Sequence, residues 1–317
     1  VIPEIRVPAH VPLVHLLRDG MVEGVHHGSA VILAPDGRVL FSAGDVEAAF
    51  YPRSAAKPLQ ATAMARLGVD LSPAGFAVGA ASHSGEEIHL SEVLRTLDGA
   101  ALTAEDLRTP EDLPFDPVER DTWVASGRTA SRLAHNCSGK HAAMLATCRL
   151  HDWSTKDYLD PGHPLQRAIA DCVEDLTGQP IPKVAVDGCG APLFAVSLRG
   201  LAKAVGKIAA AAPGTPEGLV GEGIRKHPEL VAGTRRDVTA LMRAVPGLIA
   251  KDGFEAVQVA ALPDGTAIAL KIADGGDRAR RPVLAAALAL CGVEQDVLEP
   301  TPGLRVTDAL AGHHLAA

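Results

Sequence analysis

The chain has 317 residues, 47% hydrophobic and 21% charged, the make-up of a globular protein with ample core for one large domain or two smaller ones. A net charge of −8 with no basic patch argues against a nucleic-acid partner, and no apolar run is long enough to span a bilayer. Aromatic residues reach only 3%, so the core must be packed from small aliphatic side chains.

Residues 11–44 read as β. Short apolar runs at 11–17, 21–25, 30–33 and 39–41 are separated by turns such as Asp19-Gly20 and Pro35-Asp36-Gly37, the pattern of an antiparallel meander. A period of 3.6 begins only at Ser54. From there to about 245 the pattern is helical, with caps at Ser72-Pro73 and Thr103–Asp106 and a helix over 86–97. Residues 108–122 read as a loop. Helices are expected at about 138–151, 162–177, 192–211, 215–226 and 235–244, with a short strand at Lys183–Asp187. The end returns to β at Leu248–Ala250, Ala256–Leu262 and Thr266–Ile272, with Pro263-Asp264-Gly265 as a hairpin turn, and Arg278–Leu290 reads as a helix. Strands at both ends with helices between them predict an α+β fold: one antiparallel sheet from N- and C-terminal strands, with a helical region inserted. A single domain over 1–317 is expected, its sheet part at about 1–60 and 246–317 and its mainly helical part at about 61–245.

Four stretches can carry chemistry. In Arg53-Ser54-Ala55-Ala56-Lys57-Pro58 a serine and a lysine lie one helical turn apart, so their side chains can meet. A lysine in a dry pocket or beside a second cation can lose its proton and then take one from the hydroxyl. Taken alone, the tetrapeptide reads first as a helix cap before a solvated lysine. In Ser82-His83-Ser84-Gly85-Glu86 a hydroxyl-rich helix junction could face the first site as a proton relay. Lys271, in an otherwise apolar strand, points either to solvent or into a cleft, where it would be the second cation.

The fourth constellation pairs Asn136-Cys137-Ser138-Gly139-Lys140-His141 with Asp187-Gly188-Cys189-Gly190. Two thiolates plus a third ligand suit zinc with an open position; His141 would be the ordinary third ligand and Lys140 an unusual one. Two buried thiols, a Cys137–His141 nucleophile pair or a Lys140–Asp187 ion pair fit the same spacing. The five cysteines (137, 148, 172, 189, 291) show no tight disulfide spacing. With no signal-peptide pattern at the N-terminus, the cytoplasm is the expected compartment.

Taken together, Arg53–Gln60, Ala81–Glu86, His135–His141 and Val186–Pro192 resemble the rhizobial-type L-asparaginases. Pro228–Gly233 and Lys271–Gly275 are similar too, and the resemblance runs from about residue 12 to 290. That family is similar to the Ser-x-x-Lys hydrolases: serine β-lactamases, penicillin-binding proteins and serine-dependent glutaminases. The resemblance implies their sheet-plus-helical-insert fold and hydrolysis of L-asparagine to aspartate and ammonia. Ser54 would be the nucleophile, Lys57 its base, Ser82 a proton relay and Lys271 the strand lysine. Ser84 stands where asparagine is usual, and Lys271-Ile272-Ala273 departs from Lys-Thr-Gly, which speaks against β-lactam substrates. Arg53, His83, Ser84, Asp187 and Asp274 would face the substrate, with backbone N–H groups at Ser54 and near Asp274 holding the oxyanion. Zinc on Cys137, Lys140 and Cys189, with Asp187 behind, would orient the substrate, and a homodimer is implied. A glutaminase or other small-amide hydrolase, and a non-catalytic zinc- or amino-acid-binding protein, are the competing expectations.

Overall fold

The structure, a computed structural model, describes residues 7–298 and 301–311; the outermost ends of the expected domain lie outside the described residues. From the N-terminus, β1 (Val11–Arg18), β2 (Met21–Leu33), β3 (Val39–Ala43) and the short β4 (Ala49–Phe50) precede a 3-10 turn at Arg53–Ala56 that runs into α1 (Lys57–Arg66). The helical region continues through α2 (Pro73–Gly79), α3 (Glu87–Gly99), α4 (Pro117–Ala125), α5 (Ser138–Leu150) and α6 (Pro164–Thr177). A hairpin of β5 (Val184–Val186) and β6 (Pro192–Phe194), then β7 (Val196–Ser197), leads into α7 (Leu198–Ala210), α8 (Pro216–Lys226), α9 (Pro228–Val231) and α10 (Asp237–Ala244). Finally come β8 (Ile249–Gly253), β9 (Val257–Ala261), β10 (Ala267–Ile272), α11 (Arg280–Leu290), β11 (Leu304–Val306) and α12 (Asp308–Ala311).

The two ends of the chain meet in one antiparallel sheet of order β11-β1-β2-β10-β9-β8, with β3 also paired to β2. The join is β2 against β10, in register from Ala267 opposite Leu33 to Ile272 opposite Gly28. This is the α+β arrangement that the order of elements predicts. β9 is buried at every position and β10 at nearly every one, so both faces of the sheet are covered; α7 and α11 both pack on β10. β8 forms one edge.

Several local expectations change. Runs 21–25 and 30–33 are one 13-residue strand, β2. Its Gly28 is not a break: a Cβ there would sit 2.5 Å from the Lys271 carbonyl, so the glycine lets β10 approach. The helix expected over 192–211 starts only after Ser197, whose hydroxyl accepts from Gly200 N; Pro192–Phe194 pairs with β5 instead. Within the expected loop 108–122, Asp116 caps a helix that begins with Pro117. Among the described residues no helix is long and apolar enough to cross a membrane.

α1 is buried from Lys57 to Ala65 and α5 from Ser138 to Cys148, so both run through the centre of the helical region. Small residues make this possible. A Cβ on Gly139 would lie 2.3 Å from the Val78 carbonyl, so α5 rests directly on the backbone of α2. The N-terminal turns of these two central helices carry Lys57 and Lys140, which are thereby placed deep in the protein. Gly139→Ala is expected to destabilise the fold by about 1–3 kcal/mol through overpacking, measured as a shift of the urea midpoint at unchanged slope; an unshifted midpoint would show that α5 and α2 are not held this close.

Candidate active site

Three lysines, Lys57, Lys140 and Lys251, are each only 1% exposed. Burying an ammonium costs several kcal/mol unless its donors are met, so three together mark the chemically unusual region of the protein. Lys57 opens α1. Its amine donates to the Ala81 carbonyl (2.5 Å), to Ser82 Oγ (2.9 Å) and to Cys137 Sγ (3.1 Å). Ser54 precedes it in the 3-10 turn, is buried, and lines a cavity of about 680 Å³ that Ser82 also lines. The two hydroxyls thus face one space, and Lys57 stands behind Ser82. Lys57 is bonded to Ser82, not to Ser54.

The turn holding Ser54 is strained and braced. Arg53 takes a positive φ of 51°, which a side chain seldom adopts. Its guanidinium donates to Asp187 Oδ1 at 2.8 Å and lies over the Phe254 ring. On the other side, β8 presses close: a Cβ on Gly253 would sit 2.7 Å from the Pro52 carbonyl and 3.0 Å from Ala55 N. The unpaired edge of β8 therefore runs past Ser54.

Behind Lys57 lies the thiol group. Lys140 Nζ is 3.2 Å from Cys189 Sγ. A hydrogen bond from the Cys137 thiol, and then the Lys140 charge against the opposing effect of burial, hold Cys189 well below the ordinary thiol range. The same bond, with burial, pushes Cys137 up. Among the described residues, no three His, Cys, Asp or Glu side chains are arranged to hold a metal ion, so the two cysteines would need the Lys140 amine as third donor. Two sulfurs and an amine converging in a buried site are a donor set that fits a soft divalent cation. His141 bonds Tyr158 through Nδ1 (2.7 Å), and Cys137 does not line the cavity, which leaves no nucleophile pair there. Asp187 pairs with Arg53 rather than with Lys140.

The sheet supplies the opposite wall. Lys251 on β8 donates to the Asp252 carbonyl and to Asp252 Oδ1, both at 2.7 Å. Burial, with the Lys57 charge adding to it and Asp252 opposing it, brings the Lys251 amine down to about 8. Burial alone would raise Asp252, but Lys251, Arg236 and Arg280 overcome it and hold this carboxylate far below its ordinary value. Lys251 is the second buried cation near Lys57.

Lys271 is not in that place. Its amine donates to the Glu255 and Ile272 carbonyls, 2.7 Å each, and it does not line the cavity. The strand reading that ended at Ala250 stopped one residue short of Lys251-Asp252-Gly253, a Lys-x-Gly that is nearer to Lys-Thr-Gly than Lys271-Ile272-Ala273 is. His83 and Ser84 are wholly buried behind the wall, His83 on Ser138 Oγ (2.8 Å), and only Ser82 of that trio reaches the cavity. Asp274 pairs with His26 and Gly276 N outside the cavity, to which Gly275 contributes instead. Asn136, from the stretch read for its cysteine and lysine, lines it, as do Arg236 and Asp252, which no motif announces; Phe115 and Phe254 meet edge-on at its rim (5.9 Å between centroids).

Comparison with known proteins gives one family and a set of distant folds. The profile described as L-asparaginase II matches residues 14–311. Among solved structures, a β-lactamase from Mycobacterium bovis is 17% identical over 83% of this chain and 94% of its own, with a TM-score of 0.44. Mglu in its native form in 4.3 M NaCl is 16% identical, with 87% of this chain and 62% of that chain covered and a TM-score of 0.46. EstCE1, a hydrolase with promiscuous acyltransferase activity, is 12% identical over 80% and 91%, with a TM-score of 0.43. No curated protein matches the chain.

The lowered pKa of Lys251 has a sign for stability. The unfolded chain keeps this proton up to the ordinary lysine value of 10.5, the folded chain only up to about 8. The protonated amine therefore costs the folded state about 3 kcal/mol below pH 8, a cost lost as the pH climbs to 10.5. Urea unfolding across that window is expected to show the wild type gaining on Lys251→Met by roughly this amount; parallel pH curves would contradict it.

Proposed function

The chain belongs to the L-asparaginase II family, and from that premise we propose that it hydrolyses the side-chain amide of L-asparagine, with Ser54 as nucleophile. The observation that carries this reading is one cavity into which Ser54 and Ser82 both open, with the Lys57 amine 2.9 Å from Ser82 Oγ. Ser54 Oγ attacks the amide carbon while its proton passes to the Lys57–Ser82 pair. The developing oxyanion is met by backbone N–H groups of the Ser54 turn and of the β8 edge near Gly253. Ser82, resupplied by Lys57, gives its proton to the departing nitrogen, the C–N bond breaks, and ammonia leaves an ester on Ser54. Water, deprotonated by the same pair, cleaves that ester to aspartate and restores the Ser54 hydroxyl.

On this reading Ser54→Ala loses on the order of 10⁴-fold or more in kcat, and Ser82→Ala about 10²–10⁴-fold. Ammonia release from asparagine and glutamine side by side measures both the loss and the choice of substrate, since one methylene is worth only about 10–200-fold. In Ser82→Ala an aspartyl adduct is expected on Ser54 by peptide mass spectrometry. Full activity in Ser54→Ala would end the proposal.

The same reading includes Zn²⁺ held by Cys137, Lys140 and Cys189, supported by the thiol–thiol–amine convergence described above. When bound, the ion would add a fixed positive charge behind Ser82 and keep both sulfurs ionised. This chain's part is positional: Cys137 anchors the Lys57 amine, and its neighbour Asn136 faces the substrate. Chelation is expected to raise KM more than it lowers kcat. Metal analysis should find one zinc per chain in the wild type, lost in Cys189→Ala and in acid, where the lysine protonates. A chelated enzyme with unchanged KM and lower kcat would oppose the orienting role.

A further inference from the structure

We infer that Arg236 receives the α-carboxylate of the substrate and so sets the requirement for an amino-acid amide over a plain amide. The inference rests on reading the cavity as an amidohydrolase site. Arg236 stands at the start of α10 and lines the same cavity as Ser54 and Ser82. Its guanidinium is fixed on two sides: Nη2 pairs with Asp252 Oδ2, and the group lies over the Phe115 ring at 5.0 Å. Nη1 is buried and has no hydrogen-bond partner. A donor oriented this firmly and left unmet is suited to an acceptor that arrives with a ligand.

The other arginines of the cavity are already spent. Arg280 gives its donors to Gln258, Asp237 and Asp277, and Arg281 pairs with Asp237 and is 48% exposed. The local charge has the right sign. Lys251 and Arg236 set two cations against the one carboxylate of Asp252, so an anion is favoured beside Arg236. Elsewhere Asp237 and Asp277 are neutralised by Arg280 and Arg281, which leaves Glu255 as the lining carboxylate that would welcome an ammonium. A small zwitterion matches both signs, and an amide lacking the carboxylate leaves Nη1 unmet.

The test compares asparagine with 3-aminopropanamide, which keeps the amine and the amide but lacks the carboxylate. Arg236→Met is expected to lose about 10–150-fold in kcat/KM for asparagine, mostly through KM. For 3-aminopropanamide it should stay within about twofold of wild type. Equal losses on both amides, or no loss on either, would overturn the inference. Should Arg236→Met fail to fold, Arg236→Lys carries the same comparison, with a smaller loss confined to asparagine expected. If the wild type turns over neither amide, the amidohydrolase reading fails, yet Arg236 is still tested by aspartate binding in calorimetry. Binding lost in the variant supports the inference, and binding unchanged overturns it.

Discussion

One buried amine fixes the geometry on which the rest of the site depends. Lys57 Nζ has three partners: the Ala81 carbonyl, Ser82 Oγ and Cys137 Sγ. Those partners come from the end of α2, the α2–α3 junction and the start of α5, segments up to 80 residues away in sequence. A buried amine that lost any of these partners would be left an unmet polar group, at a cost of about 1–3 kcal/mol. The amine therefore locks three segments to α1, and Ser54, in the turn before α1, comes into register with Ser82 as a consequence.

The sheet answers with a wall of a different kind. An edge strand leaves backbone groups unpaired, a liability that proteins usually cover. Here β8 is covered by the Ser54 turn itself, at a contact that only the missing side chain of Gly253 allows. Lys57 meets only uncharged oxygens and a sulfur, whereas Lys251 meets a carboxylate that two arginines also hold. The helical side thus offers hydroxyls beside an amine and the sheet side offers fixed charge. The cavity lies at their seam, where residues from about 54 and about 252 face each other although nearly 200 positions separate them.

Much of this was legible in the sequence, and the failures share a cause. The strand–helix–strand order could be read because alternation and 3.6 periodicity are local. Ser54 and Lys57 were visible because a helix brings positions three apart together. Lys251 was missed because Lys-Asp-Gly at the end of a short apolar run looks like a turn, when the aspartate is in fact the buried partner of the lysine beside it. Lys271 was chosen because it interrupts an apolar strand; alternation says which face a residue takes but not what lies beyond that face. His83 and Ser84 surround a serine that does line the cavity, and nothing local distinguishes the one that faces it. Arg236 follows no spacing rule, since its place depends on how α10 meets β8.

The displaced expectations also show what the strained parts of the site require. Arg53, Glu255 and Ala256 all adopt positive φ without being glycine, a conformation that costs about 1–3 kcal/mol per residue and persists only where neighbours over-determine it. Two of the three, Glu255 and Ala256, line the cavity and the other immediately precedes Ser54. Arg53 is held by Asp187 at 2.8 Å. The Glu255–Ala256 turn is held by Lys271, which donates to the Glu255 carbonyl, and by Ile272 N on the Ala256 carbonyl. Asp187 and Lys271 are therefore the groups that keep two unfavourable turns in place. The sequence singled them out because a charge in such a setting is unusual, and the strain they hold is a structural reason for that charge.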